Sequence, residues 1–161
     1  MSRGLTGEPL IDEKGRSVLL PLPGADKLPA TLTLGGETFA RKAELHATIV
    51  GGRERHPVAA LREAARGAQL SVRPRGEYRL VRKEARRSLI ELADINGLDE
   101  FYARLEAALG AGRGSIPRPP GHVTLYTAGD PAGRGIALYT EDELAALSSP
   151  LEPAPALASW R

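Results

Sequence analysis

One segment constrains the fold more than any other part of the chain. In TLTLGGETFARKAELHATIV, residues 31–50, apolar and polar residues alternate on both sides of Gly35-Gly36. Two glycines between such stretches are typical of a β-hairpin with a two-residue turn. Hairpins build antiparallel sheets, and the other predicted elements are spaced irregularly. We therefore expect an α+β fold with antiparallel sheets rather than a parallel, doubly wound sheet.

Short sequence patterns predict the remaining elements. Helices are predicted at residues 57–69, 97–112 and 140–147, and further strands at 76–83, 85–95, 122–127 and 136–140. The last helix begins with a capping box, in which Thr140 precedes Glu143 by three positions. Residues 1–30 are predicted to be an irregular lead-in, because the prolines at 17–24 allow only an edge strand there.

The domain organisation follows from these elements. Residues 1–147 are assigned to a single domain, and residues 148–161 to a Pro-rich tail. Such a composition favours an extended arm. Whether this arm packs on the body, docks on a partner or is disordered stays open.

The overall composition is that of a globular protein. A chain of 161 residues suits one domain, and 42% hydrophobic with 26% charged residues indicates neither disorder nor a membrane span. Residues 1–16 lack the apolar segment of a secretory signal. Cysteine is absent, which excludes disulfides and thiolate catalysis and fits a reducing compartment. We expect a cytoplasmic protein that makes no membrane contact and is monomeric.

Positive charge is concentrated in one part of the chain. The net charge of +2 is too small to indicate DNA binding. Between Arg73 and Arg87, however, seven Lys and Arg residues outnumber two Glu residues. This segment is either a solvated basic face, which we slightly favour, or a surface that attracts a phosphate-rich ligand.

Two of the chain's three histidines stand in the same short pattern. AELHATIV contains His46 and Thr48, and GHVTLYT contains His122 and Thr124. Both segments have strand patterns, and strand positions two residues apart share one face. Each strand therefore presents an imidazole and a hydroxyl on its polar face. If the two faces oppose each other, they enclose a pocket with two imidazoles and two hydroxyls.

This set of side chains suits the cleavage of a phosphodiester. In-line attack at phosphorus needs a base for the nucleophile and an acid for the leaving oxygen. Histidine fills either role near neutral pH, and threonine hydroxyls donate hydrogen bonds to the non-bridging oxygens. Neither a metal ion nor a cofactor is required. A metal site is disfavoured, because the sequence has no His-x-x-x-His, no cysteine and no carboxylate cluster near either motif beyond Glu44.

The paired His-x-Thr motifs resemble those of the two-histidine phosphoesterase superfamily. That family includes bacterial RNA 2′,3′-cyclic phosphodiesterases, also called 2′-5′ RNA ligase-like proteins. The resemblance spans about residues 30–147. It implies a bilobal fold with pseudo-two-fold symmetry, in which two antiparallel sheets each supply one motif to a central cleft and helices lie on the outer faces.

The resemblance also assigns roles to the motif residues. It implies that His46 and His122 form the acid–base pair and that Thr48 and Thr124 bind phosphate. In the family an apolar residue usually precedes each histidine, and the chain departs from this at Gly121. The glycine suggests that the second strand begins at His122.

Two residues near the motifs are candidates for substrate binding. Tyr126 shares the predicted face of Thr124, where it either contacts a base or phosphate or simply packs. Lys42 shares the predicted face of His46. It either holds phosphate or pairs with Glu44, and we favour the pairing.

Candidates also come from the loops and from the basic segment. Arg134, in the glycine-rich loop after the second motif, is either a cap over a ligand or, as we favour, a solvated loop residue. Arg86 and Arg87 open a predicted strand, so one of them faces the cleft. His56 precedes a predicted helix start, where a loop or near-cap position is favoured over a functional one.

The combined prediction is a metal-independent phosphodiesterase that hydrolyses a 2′,3′-cyclic phosphate by two-histidine acid–base catalysis. The resemblance also implies that the same site can run the reverse, 2′-5′ ligase reaction. Aromatic residues make up only 4% of the chain, which argues against stacking on long RNA. An RNA end, a short oligonucleotide or a cyclic nucleotide fits better. The alternative is a non-catalytic protein that binds nucleotide or RNA in the same cleft.

Overall fold

A computed structural model describes residues 4–131 and 133–161. These residues form ten strands and three α-helices, so the predicted α+β class is confirmed. The strands are β1 Leu5–Gly7, β2 Leu10–Asp12, β3 Ser17–Leu22, β4 Thr31–Leu34, β5 Glu37–Arg41, β6 Leu45–Val50, β7 Leu70–Lys83, β8 Arg86–Asn96, β9 His122–Gly129 and β10 Ser148–Leu151. The helices are α1 Val58–Ala65, α2 Leu98–Leu109 and α3 Glu141–Leu147. None of them is long and apolar enough to span a bilayer.

The strands belong to one continuous antiparallel sheet. Its main order is β1-β7-β8-β9-β6-β3-β2, so β9 lies between β8 and β6 near the middle. The β4–β5 hairpin joins the sheet farther along β9, and β10 pairs with β7. The predicted arrangement of two separate sheets in two lobes is not confirmed, because β6 and β9, the two motif strands, pair directly.

The two faces of the sheet are covered unequally. Helices α1 and α2 pack on one face and form the main hydrophobic core, to which β8 contributes Leu89 and Ala93. The alternate β8 residues Ile90 and Leu92 point to the opposite face. There they join a smaller cluster with Ile136, Leu138 and Leu144, which lie in α3 and the segment before it. This segment therefore covers only part of the second face.

Several local predictions are confirmed. Strands β4 and β5 form the predicted hairpin, and Gly35 and Gly36 both have positive φ angles in its turn. A positive φ at both central residues is the geometry that favours glycine there. Helix α3 is capped by Thr140, whose hydroxyl accepts a 3.0 Å hydrogen bond from the Glu143 amide.

Two strand predictions are wrong. Residues 4–30 are not an irregular lead-in, and β3 is not an edge strand, because it lies between β6 and β2. Residues 1–3 of the predicted lead-in lie outside the described residues. Pro21 is tolerated in β3 because β2 pairs only with residues 17–19. Residues 136–140 form no strand. Both edges of β9 are already paired, so this segment crosses over the sheet instead, and its Ile136 amide donates to Ser88 Oγ at 3.2 Å.

Residues 148–161 pack on the body. After β10 the chain buries Trp160, which is 1% exposed. The Trp160 indole donates to Glu91 Oε1 at 3.0 Å, and Arg161 pairs with Glu91 Oε2 at 2.8 Å. The Gly76 amide donates to the same carboxylate at 3.0 Å. Of the alternatives open for the tail, docking on its own domain is therefore the one observed.

Candidate active site

Strands β6 and β9 bring the two His-x-Thr motifs together. The central residues of the motifs, Ala47 and Val123, are register partners in an antiparallel pair. One step to either side of this pair, the register places His46 across from Thr124 and Thr48 across from His122. The histidines are then diagonal neighbours, and such positions are typically about 7–8 Å apart. That spacing allows two imidazoles to contact opposite sides of one phosphate group.

The start of β9 explains the departure at Gly121. The strand begins at His122, as predicted. Before it, the Gly121 carbonyl accepts a 2.9 Å hydrogen bond from the Ala93 amide. A β-carbon at Gly121 would lie 2.2 Å from the Ala93 carbonyl oxygen, so the close approach of the two backbones requires glycine.

All four motif side chains line one cavity of about 230 Å³, here called the histidine cavity. Its lining residues are Ser17, Leu19, Lys42, His46, Thr48, Gly51, Gly52, His122, Thr124, Gly135, Ile136, Ala137, Leu138 and Tyr139. None of these described residues is acidic, and apart from the histidines the only ionisable lining groups are Lys42 and Tyr139. The cavity therefore favours an anionic group.

His122 is held in a defined tautomer. Its Nδ1 lies 2.7 Å from the carbonyl oxygen of Pro120. A carbonyl only accepts hydrogen bonds, so Nδ1 carries a proton and the neutral ring keeps its lone pair on Nε2. The residue is 9% exposed, and burial lowers its pKa below the ordinary value of 6.5, against smaller opposing effects of the Pro120 carbonyl and Glu141. His122 is thus arranged as a proton acceptor.

His46 is in a more open and more charged environment. It is half-buried, and burial lowers its pKa below 6.5. The positive charge of Lys42 and the neighbouring His122 lower it further, while Glu44 raises it. Both histidines are therefore mainly neutral in the free protein at pH 7. A bound anion would favour protonation of one of them.

Some residues that line the histidine cavity were not indicated as functional by the sequence. Gly135 packs against Thr124, and Tyr139 forms a wall near Gly51. A β-carbon at Gly51 would lie 2.7 Å from the Tyr139 ring, so glycine lets the ring approach the backbone. The Arg53 guanidinium stacks on the Tyr139 ring, 4.1 Å from its centroid, and pairs with Glu143 at 3.1 Å. In the sequence, the two glycines that follow the first motif were the available indication that a ring packs against the backbone at Gly51.

The predicted placement of Tyr126 is wrong. The register with β8 shifts so that Tyr126 lies across from Leu89 of the main core, whereas Thr124 lies across from Ile90. The extra residue is a β-bulge, which reverses the alternation of side chains beyond it. Tyr126 is fully buried in the core, and its hydroxyl donates to the Pro29 carbonyl at 2.6 Å. Its position does not support a role in substrate binding.

Of the other substrate-binding candidates, only Lys42 lines the histidine cavity. Its ammonium group donates to the Gly133 carbonyl at 2.8 Å, so the favoured pairing with Glu44 is not what holds it. Arg134 is exposed and lies outside the lining. Arg86 pairs with Gly129, six residues along β8 from the partner of His122, or roughly 20 Å at strand spacing.

Three of the seven basic side chains in the segment from Arg73 to Arg87 form ion pairs. Arg73 pairs with Asp94 at 3.1 Å, Arg75 with Glu77 at 2.9 Å, and Arg87 with Glu37 at 3.0 Å. These pairs are mostly solvent-exposed, so they contribute little to stability. They fit the favoured interpretation of a solvated basic face.

Among the residues that the structure describes, no group of three His, Asp or Glu side chains is arranged to hold a metal ion. The cavity itself supplies two imidazoles, the hydroxyls of its threonines and the Lys42 amine. Together they can bind a phosphate, remove a proton on one side of it and supply a proton on the other side.

Comparisons with protein-family models, with curated proteins and with solved structures find no significant match to this chain.

Proposed function

We propose that the protein is a two-histidine phosphodiesterase that hydrolyses a 2′,3′-cyclic phosphate. The observation that carries this proposal is the direct pairing of the two motif strands, which places both His-x-Thr sets in one cavity. An antiparallel strand pair has a local two-fold axis. Around the pair Ala47 and Val123, this axis relates one motif to the other. The pseudo-two-fold symmetry of the family is therefore proposed at this strand pair, although the sheet is continuous.

The proposed chemistry uses each group for one task. Thr48 and Thr124 donate hydrogen bonds to the non-bridging oxygens, where negative charge develops in the transition state. Lys42 adds a positive charge near the same oxygens. His46 and His122 carry out the two proton transfers, each worth about 10²–10⁴-fold in rate. No further group is needed for the reaction to balance.

The size of the cavity supports a small reacting group. About 230 Å³ is below the roughly 300–1,000 Å³ of ordinary ligand pockets. It is suited to a cyclic phosphate with its sugar rather than to a longer strand. The same site is proposed to support 2′-5′ ligation, in which a 5′-hydroxyl takes the place of water. Its oxygen forms a bond to phosphorus and gives up its proton to one histidine, while the bond from phosphorus to O3′ breaks and O3′ takes a proton from the other.

The experiment is a turnover panel with EDTA present. It contains four nucleoside 2′,3′-cyclic monophosphates, an RNA with a cyclic phosphate end and a 2′-5′ dinucleotide, with products identified by ³¹P NMR. Opening of a cyclic phosphate supports the proposal, and the position of the product phosphate shows which bond breaks. Binding of the panel without any turnover would instead support the non-catalytic alternative.

A further inference from the structure

The histidine cavity is closed on one side. Across the sheet from His122 and Thr124 lie Leu92 and Ile90 of β8. Leu92 is 9% exposed and Ile90 is fully buried, because Ile136, Leu138 and α3 cover them. A substrate that enters the cavity therefore cannot extend over β8.

The sheet is open on the other side of the motifs. On β3, Pro21 lies across from His46 and Leu19 across from Thr48. On β2, Leu10 lies across from Leu19. Paired residues share a face, so these three side chains continue the row that begins with the catalytic residues. We call Leu10, Leu19 and Pro21 the apolar shelf.

The apolar shelf is accessible. Leu10 is 56% exposed, the one large hydrophobic side chain among the described residues that is this open. The shelf borders a groove of about 430 Å³ that shares His46 and Leu19 with the histidine cavity. The groove and the cavity are thus parts of one surface, joined at His46.

The charges of this groove indicate what it accepts. Its described lining contains Asp26 and Glu44, both exposed, and neither Lys nor Arg. A second phosphate group would be repelled there. Carboxylates do accept hydrogen bonds from sugar hydroxyls and from the amino groups of bases. An uncharged, partly apolar group with hydrogen-bond donors fits this environment, which describes a nucleoside.

We propose that the nucleoside of the substrate lies on the apolar shelf and that the substrate is a small nucleoside 2′,3′-cyclic phosphate rather than the end of a longer RNA. This inference rests on the proposed function. It places the ribose, which carries the leaving oxygen, next to His46. The attacking water then approaches from the His122 side.

The direction of the reaction follows from this placement. Water forms a bond to phosphorus and gives a proton to Nε2 of His122. The bond between phosphorus and one ribose oxygen breaks, and that oxygen takes a proton from His46. One water is consumed and a phosphomonoester results. Solvent then returns a proton to His46 and removes one from His122.

A second groove serves as the control. It lies beyond Gly121, has a volume of about 460 Å³ and is lined by Ile95 among others. It shares no lining residue with the histidine cavity. Ile95→Ala therefore truncates an apolar side chain of similar size in a groove that lies outside the proposed nucleoside site.

The test measures binding of the product, which needs no turnover. Calorimetry compares a nucleoside 3′-monophosphate with base-free ribose 3-phosphate for the wild type, Leu10→Ala, Leu19→Ala and Ile95→Ala, after thermal melting confirms that each variant is folded. We expect Leu10→Ala to bind the nucleotide about tenfold more weakly, the size of a lost apolar contact, while its binding of ribose phosphate is unchanged. Leu19→Ala, whose side chain also lines the histidine cavity, should weaken nucleotide binding at least as much. Ile95→Ala should bind both ligands as the wild type does.

Two results would overturn the inference. One is equal affinity of the wild type for the nucleotide and for ribose phosphate. The other is loss of nucleotide affinity in Ile95→Ala but not in the shelf variants. A nucleoside 3′,5′-bisphosphate distinguishes a free nucleotide from an RNA end as the substrate. It should bind more weakly than the 3′-monophosphate. In Glu44→Gln, which removes a repelling charge, this difference should disappear. Failure of turnover in the panel above would count against the proposed function and leave these binding results unchanged.

Discussion

The two His-x-Thr motifs have the same pattern in sequence but different surroundings in the structure. His122 is 9% exposed, its ring is fixed by the Pro120 carbonyl, and the strand beside it is covered. His46 is half-buried, is influenced by Lys42 and Glu44, and borders the open apolar shelf. A symmetric pair of motifs thus forms an asymmetric site. The environment, rather than the motif, distinguishes the two histidines.

The largest expected effect is the loss of either histidine. His46→Ala and His122→Ala should each lower kcat/KM on a cyclic phosphate by about 10²–10⁴-fold, because each removes one proton transfer. The double variant should be little slower than the slower single variant, since groups that act as a unit are not additive. The matched control is His56→Ala, because the third histidine lies outside the cavity lining. An equal loss in folded His56→Ala would contradict the assignment.

The threonines should give the next largest effects. Thr48→Val and Thr124→Val keep the side-chain shape and remove the hydroxyl, and each should lower kcat by about 10²–10³-fold if the hydroxyls stabilise developing charge. Thr48→Ser and Thr124→Ser should retain most of the activity. Equal losses at the two positions would sharpen the view that the motifs bind phosphate symmetrically. A valine variant with full activity would exclude that hydroxyl from phosphate binding.

The pH profile should be shifted to the acid side. Burial lowers the pKa values of both His46 and His122 below 6.5. The proposed mechanism needs one ring protonated and the other neutral. This form is most abundant between the two pKa values, so kcat/KM should peak below pH 6.5 and fall about tenfold per pH unit well above it. Lys42→Met should raise the pKa of His46 and move one limb of the profile to higher pH. An optimum above pH 7.5 would contradict both shifts.

The smallest effect concerns stability. A histidine whose pKa is lower in the folded state than its unfolded value of about 6.5 contributes stability above that pH, and this contribution is lost as the pH falls through the folded pKa. The Tm should therefore drop between pH 7 and pH 5. His122→Asn should reduce this drop more than His46→Asn, because His122 is the more buried. Identical drops in both variants and in the wild type would show that neither ring is the cause.

Local sequence patterns predicted much of the fold. The Gly35-Gly36 hairpin and the helix cap at Thr140 depend on neighbouring residues alone, and both were found. The joining of strands into one sheet depends on pairing between distant segments. No local pattern encodes that β6 and β9 are direct neighbours.

Predictions about the site also succeeded where they depended on local patterns and failed where they depended on the packing of distant segments. The alternation of side chains along a strand predicted that His46 and Thr48 share a face, and that His122 and Thr124 do. All four side chains line the same cavity. The alternation failed at Tyr126, because a bulge inserts one residue and reverses the faces beyond it. Tyr139, which lines the histidine cavity, was missed because its segment has a strand-like composition but no free sheet edge is available to pair with it. It crosses the sheet instead, and the periodicity of a segment does not predict where such a crossing segment lies in the fold.

The most direct test of a divided acid–base pair uses a cyclic substrate in which sulfur replaces the leaving ribose oxygen. A thiolate is a much weaker base than an alkoxide and leaves without a proton donor. With His46 as the acid and His122 as the base, the assignment inferred above, His46→Ala should recover most of the wild-type rate on this substrate, while His122→Ala should stay about 10²–10⁴-fold slower because water still needs a base. If both variants are slowed equally on the oxygen and sulfur substrates, the histidines do not share the two proton transfers and the proposed mechanism is wrong.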